Sequence, residues 1–340
     1  MTPLAARLAA AAPVTVAAWM AACNAQYYAT RDPLGAGGDF ITAPEISQMF
    51  GELVGAWLVD RWRAAGSPAA ARLVELGPGR GTLMADVVRV AHGAGWRPPV
   101  HLVETSPVLA ARQAVIVPHA VHAVSLDAVP DDGPLFIVAN EFFDALPVRQ
   151  IVRTADGWFE RVVGWDGGRF VSGLDRVDAA AAVPTLLAGA PAGGIVELCP
   201  AATAVASEIG VRLQARGGAA LIVDYGHAGP VTGDTLQAVR GHAVADPFSD
   251  PGEVDLTCHV DFTALAAAAG VAAWGPVGQG DFLRALGIDV RASMLKARND
   301  GRYAAAADAA VARLTGDGAM GTLFKVMALT GPSAPPPGFG

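Results

Sequence analysis

Carboxylates set beside glycine turns mark where this sequence could do chemistry. The first is Glu75, followed by Gly77, Pro78, Gly79, Arg80, Gly81 and Thr82. The apolar run of Leu73, Val74 and Leu76 around it suits a buried parallel strand. Beyond the glycines, Leu83, Val87, Val88 and Ala91 recur at helical spacing, so the stretch reads as strand, tight turn and helix. Glycines there let the backbone bend sharply and let a ligand come close. The helix behind them offers unpaired N–H groups at its positive end. A carboxylate buried at such a strand end is unfavourable without a partner, so Glu75 implies a cationic or hydroxyl-rich ligand. The loop is no P-loop, because no Lys-Ser/Thr pair follows it, and the third glycine of the dinucleotide fingerprint falls where this chain has Thr82.

Four other groups stand at comparable places. Glu104 ends the run Val100, His101, Leu102, Val103 and lies 23 residues beyond Gly81. An acid at that place in nucleotide-type α/β folds accepts hydrogen bonds from ribose hydroxyls. Asp127 follows a third apolar run at 121–126, either as an acceptor for an adenine amino group or as a turn residue before Pro130. Asn140, Glu141 and Asp144 come directly after the buried-strand pattern of 135–139. Asp39 lies in a glycine-rich loop before Thr42, Ala43, Pro44 and Glu45, which have the form of a capping box with proline in the first turn. Capping is the favoured role for Glu45, while Asp39 either caps or serves a ligand.

The elements that must position these groups are strands alternating with helices. Ligands of open parallel sheets bind outside the carboxyl ends of the strands, so Glu104, the glycine loop and Asn140-Glu141 should converge on one crevice. From Val148 the pattern changes. Asp156-Gly157 between two apolar runs signals a hairpin, and an antiparallel insertion is expected, with a strand at 195–198 and a helix at about 200–216. The run 219–223, ending at Asp224, reads as a fifth parallel strand, and 322–329 as the last strand. The segment 235–255 is expected to be a long ordered lid near the acceptor. The domain organisation is therefore an N-terminal helical segment over 1–65, the first half of the core over 66–147 and the insertion over 148–217. The second half of the core follows over 218–330, with a proline- and glycine-rich tail over 331–340 that should be disordered.

The stretch Leu73 to Gly81 resembles the first motif of class I S-adenosylmethionine-dependent methyltransferases, and the wider chain resembles the MidA-like family, which includes mitochondrial complex I assembly methyltransferases. The resemblance is carried by Gly38 to Ser47, Glu75 to Gly81, Asn140 to Pro147, Val223 to His227 and Gly252 to Thr257, in family order over roughly residues 15 to 330. It implies an α/β fold with a Rossmann-like sheet, helices on both faces and an antiparallel final strand. It also implies S-adenosyl-L-methionine as donor, held by Glu75, Gly77, Pro78, Gly79, Gly81, Thr82, Glu104, Asp127, Asn140, Asp39 and Thr42. Glu141, Asn140 and Asp144 are the expected catalytic group. The implied acceptor is an arginine of a respiratory-complex protein, whose guanidinium a carboxylate such as Glu141 can hold through paired hydrogen bonds. A donor-binding assembly factor without turnover and a small-molecule methyltransferase are the alternatives. A nicotinamide oxidoreductase is disfavoured by Glu75 and Thr82.

Composition narrows the rest. The chain has 340 residues, 52% hydrophobic and 16% charged, with a net charge of −8. That supports a packed core and gives no nucleic-acid surface. Cys23, Cys199 and Cys258 are scattered and form no C-x-x-C pair, so neither a disulfide framework nor a zinc site is expected. His242 and His259 lack ligand spacing, and no metal is expected. No apolar run reads as a membrane span, and the alanine-rich start lacks a basic n-region. A cytoplasmic location is expected, and nothing specifies an oligomeric state.

Overall fold

A computed structural model describes residues 1–33, 35, 38–39, 41–298, 304–332 and 334–340. Phe40 of the Gly38–Ser47 motif lies outside them. The N-terminal segment holds helix α1 (Pro3–Ala11), strand β1 (Val14–Thr15) and helix α2 (Val16–Thr30). Thr15 caps α2 by accepting from Ala18 N, and the helix buries Val16, Trp19, Met20 and Cys23 as their spacing predicts. The expected capping box does not form. Helix α3 (Ala43–Ile46) has no side-chain bond from Thr42, and the chain breaks at Ser47. The Ser47 hydroxyl then starts α4 (Gln48–Ala64) by accepting from Met49 N. The physical reason is that the Glu45 carboxylate is drawn to Thr82 and Arg80 instead of back to its own helix.

The core follows as β2 (Arg72–Leu76), α5 (Thr82–Gly93), β3 (Val100–Val103), α6 (Pro107–Ile116), β4 (Val121–Ala123) and β5 (Leu135–Asn140). β4 is shorter than the apolar run suggests, because Leu126–Ala128 winds into a 3-10 turn. The insertion is antiparallel, as expected: β6 (Arg149–Arg153), β7 (Trp158–Trp165), β8 (Phe170–Asp178) and β9 (Ile195–Leu198), with β1 joining β7. Helix α7 (Pro200–Arg216) then leads into β10 (Gly218–His227), the fifth parallel core strand. Segment 235–255, expected to be ordered, is ordered as strands that its sequence does not announce. It folds into β11 (Gln237–Arg240) and β12 (Ala243–Ala245), and β11 pairs with both β12 and β13 (Asp255–Thr257) in a three-stranded antiparallel sheet. After β14 (Val260–Asp261) come α8 (Phe262–Ala269), capped by Asp261 and closed by left-handed Gly270, then β15 (Ala272–Gly278). Helices α9 (Gln279–Ala285), α10 (Ile288–Arg298), α11 (Ala304–Thr315) and α12 (Met320–Leu323) precede the final strand β16 (Phe324–Thr330).

The main sheet has the order β15-β16-β10-β5-β2-β3-β4, with β14 alongside the end of β10. β10, β5, β2, β3 and β4 run parallel, and β16 is antiparallel to both neighbours, as the resemblance implies. Strand alternation sorts side chains between two layers. Leu73 joins the core under α4 and α5, whereas Val74 and Leu76 join the core under α7 and α8. Glu75 therefore shares the face of Leu73, beneath the start of α5. The chain leaves β2 towards β3 on one side, while β5 lies on the other, so a switch point opens beside the glycine loop. The tail, expected to be disordered, packs on the core: Trp57 Nε1 donates to Pro337 O at 3.1 Å, and Phe339 meets Phe282 at 5.4 Å between ring centres. The apolar surface that Trp57 and Phe282 would otherwise expose explains this. No helix among the described residues is long and apolar enough to cross a membrane.

Candidate active site

At the carboxyl ends of β2, β3, β4 and β5 lies a cavity of about 550 Å³. The glycine loop forms its floor. Gly77 has φ 63°, and a Cβ there would stand 2.8 Å from the Phe142 ring, so only glycine lets the loop and the turn after β5 approach. Gly81, at φ 87°, is the N-cap of α5 but does not line the cavity.

Glu75 does line it. The backbone of Met84, in the first turn of α5, hydrogen-bonds its carboxylate, while Oε2 is buried with no partner. Burial pushes the Glu75 carboxyl up to about 8, opposed by the Met84 bond and reinforced by the charge of Glu104. Glu104 is better supported: it accepts from Ser106 N at 2.7 Å and from Gln113 Nε2 at 2.9 Å. Fully buried Gln113 also donates to Gly79 O at 2.7 Å, and its Oε1 lies 3.0 Å from His122 Nε2. It thus ties Glu104 to the glycine loop. No sequence pattern announces this link, since a glutamine inside a helix looks like a surface residue.

At the end of β5, Asn140 and Glu141 also line the cavity. Glu141 adopts a left-handed backbone, φ 53°, unusual for a residue with a side chain. Its N–H donates to Val223 O at 2.9 Å, and its Oε1 accepts from Asn140 Nδ2 at 3.0 Å and Ala43 N at 3.1 Å. The buried Asn140 Oδ1 has no partner. Burial, then the charge of Asp144, pushes Glu141 up to about 8. Behind this turn, Asp224 is fully buried and accepts from Phe143 N at 2.9 Å and Asp144 N at 3.2 Å, which fixes the backbone that follows Glu141. Tyr28 lines the cavity and donates to Asp255 Oδ1 at 2.7 Å.

Of the residues expected at the site, Glu75, Gly77, Pro78, Gly79, Thr82, Glu104, Asn140, Glu141 and Thr42 line the cavity. Besides Gly81, three others do not. Asp144 is hydrogen-bonded to the Tyr225 side chain and buried one layer behind. Asp39 accepts from Tyr27 Oη at 2.6 Å and Gly241 N at 2.7 Å, tying its loop to the β11–β12 turn. Asp127 sits exposed on the 3-10 turn, because that turn rotates it outwards, and Ser125 and Leu126 line the wall in its place. Glu45, read as a cap, lines the cavity: Thr82 Oγ1 donates to its Oε1 at 2.5 Å, and Arg80 Nη1 stands 3.5 Å from its Oε2.

A donor with a sulfonium, an ammonium group and a ribose diol fits these residues. Glu75 presents a buried acceptor that lacks a donor, and Glu104 stands at the ribose place beside the loop. Known proteins decide the matter. The Methyltransf_28 family model, of S-adenosyl-L-methionine-dependent methyltransferases, matches residues 53–278. The chain belongs to this family. The methyltransferase is 39% identical over 319 residues to the human protein arginine methyltransferase NDUFAF7, mitochondrial, covering 83% of this chain and 72% of that one. It is 39% identical over 336 residues to the Danio rerio protein of the same name, covering 87% and 78%. A Burkholderia thailandensis structure bound to S-adenosyl-homocysteine superposes with a TM-score of 0.85 at 30% identity, over 99% of this chain and 92% of that one. The expected cytoplasmic location is overturned, since these vertebrate relatives are mitochondrial proteins. Free cysteines and the lack of an apolar span do not distinguish one reducing compartment from another.

Proposed function

We propose that the methyltransferase methylates a guanidino nitrogen of an arginine in a protein, with Asn140 and Glu141 handling the acceptor. The carrying observation is the pair itself: one Glu141 oxygen is clamped by Ala43 and Asn140, while the Asn140 amide oxygen is buried without a donor. A guanidinium offers five N–H donors and no acceptor, so it complements both groups. Buried carboxylates of Asp144, Asp224 and Asp255 lie behind, and burial first, with the charge of Asp144 adding to it, raises the carboxyls of Glu141, Asp224 and Asp255. That field favours a cation at this end of the cavity. The relatives described as protein arginine methyltransferases support the same reading.

The bound donor supplies an electrophilic methyl on a sulfonium. The chain's own residues do the rest: they position the acceptor nitrogen in line, exclude water and remove a proton. Glu141 is placed to orient the guanidinium and take the proton that leaves the nitrogen. On the donor side, Glu104 would accept from ribose hydroxyls, and Glu75 Oε2 would accept from a cationic or hydroxyl group. The insertion and the β11–β13 sheet share a core with α1 and α2 and so hold the wall formed by Asn24 and Tyr28. Glu141→Gln should leave S-adenosyl-homocysteine binding within about threefold and reduce turnover by ~10²–10⁴-fold. Equal loss of donor binding and turnover would place Glu141 in the donor site and remove it from the acceptor chemistry.

A further inference from the structure

The structure assigns recognition of the donor's adenine amino group to Glu208, on helix α7, in place of an acid at the β4 end. β2, β3 and β4 are adjacent, so the β4 end lies ~10 Å from the glycine loop, at strand spacings of about 4.8 Å. A nucleoside whose ribose meets Glu104 at the end of β3 therefore places its base beyond, at the end of β4. There Val124, Ser125, Leu126, Val205 and Glu208 line the cavity and form the candidate base slot. Val124, Leu126 and Val205 are apolar walls suited to a flat ring. Asp127, the acid the sequence offers for this place, points to solvent on its 3-10 turn and does not line the slot.

Glu208 is the acid that does. Its side chain is one-third exposed, and Oε1 faces Arg212 Nε at 3.3 Å. That oxygen is sealed from solvent and held in the ion pair with Arg212. Arg212 is itself buried and donates from Nη1 to Val129 O at 2.8 Å. It braces Glu208 from behind and fixes α7 to the segment that carries Ser125 and Leu126. An acceptor-only carboxylate complements the exocyclic amine of adenine, which carries two N–H donors. It opposes the 6-oxo group of a hypoxanthine ring, which is an acceptor. A site built to receive a hydrogen bond rejects the analogue that cannot donate one.

The test is calorimetric binding of S-adenosyl-homocysteine and its 6-oxo analogue S-inosyl-homocysteine to the whole protein. Wild type, Glu208→Gln, Glu208→Ala and Asp127→Asn are compared, each checked for a folded far-UV spectrum. Wild type should prefer the adenosyl ligand by ~10- to 100-fold. Glu208→Gln, whose amide can donate to the 6-oxo group, should bring the ratio close to one, and Glu208→Ala should also lower it. Asp127→Asn should keep the wild-type ratio. Equal affinities in wild type, an unchanged ratio in a folded Glu208 variant, or collapse of the ratio in Asp127→Asn would each overturn the assignment.

Discussion

Two glutamates line the donor cavity, and what each lacks sets its chemistry. Glu75 has one oxygen bonded by the Met84 backbone and the other bare, and burial holds its carboxyl at about 8. In the free protein at pH 7 it is therefore mostly protonated. A cationic donor favours the ionised form, so binding below pH 8 should release up to about one proton. Calorimetry in two buffers of different ionisation enthalpy measures that release, and Glu75→Gln should abolish it. A release that persists in Glu75→Gln would move the proton to another group. Glu141 holds the same place on the acceptor side, with its backbone in the left-handed region at φ 53°. Such strain survives only where the surroundings over-determine it. Here the Val223 carbonyl, the Ala43 amide and the Asn140 side chain do so.

At the scale of elements, the active site depends on contacts between segments far apart in sequence. Asn24 of α2 shows this best. Its Nδ2 donates to Ala145 O at 3.0 Å and to Leu256 O at 2.8 Å, and its Oδ1 accepts from Leu256 N at 3.2 Å. One side chain thus joins the N-terminal helix, the turn after Glu141 and strand β13. Asn24→Leu leaves those backbone groups unpaired in the interior and should destabilise the fold by about 2–4 kcal/mol. Denaturant unfolding would show it as a lowered midpoint, and a change under 0.5 kcal/mol, roughly the noise of a neutral surface substitution, would contradict the clamp. The sequence made local features legible. Helix Pro200–Arg216 matches the expected 200–216, and the glycine loop, Glu104 and Asn140-Glu141 meet at one cavity. Each of these is a short-range pattern or a consequence of parallel-sheet topology. What stayed hidden were partners chosen in space. Glu45 forsakes its own helix for Thr82, Gln113 links Glu104 to Gly79, and Glu208 reaches the cavity from a helix 127 residues beyond Gly81. The three-stranded sheet at 237–257 was missed because strands of three or four residues carry too little alternation to stand out.

For the whole molecule, the buried acids make stability depend on pH in an unusual sense. The carboxyls of Glu75 and Glu141 are held at about 8 and that of Asp255 at about 7, each chiefly by burial, and Asp144 and Asp224 are shifted the same way. A group whose folded pKa is raised contributes stability that is complete below its unfolded value, about 4 for these acids, and is lost as pH rises through the folded value. The free protein should therefore lose stability between pH 5 and 8.5, by on the order of 5 °C or more in Tm. S-adenosyl-homocysteine, which carries an ammonium group, should reduce that loss. A Tm that rises over this range would show that the acids are paired in solution.

Arginine as the methyl acceptor is a proposal open to direct chemical test. The most direct measurement is transfer of labelled methyl from S-adenosyl-L-methionine into protein, using the purified enzyme and a cell extract, with acid hydrolysis to amino acids. The account predicts label in methylarginine with wild type, and its loss with Glu141→Gln under conditions where that variant still binds S-adenosyl-homocysteine. Label confined to small molecules or to another amino acid, or methylarginine formed equally by Glu141→Gln, would contradict it.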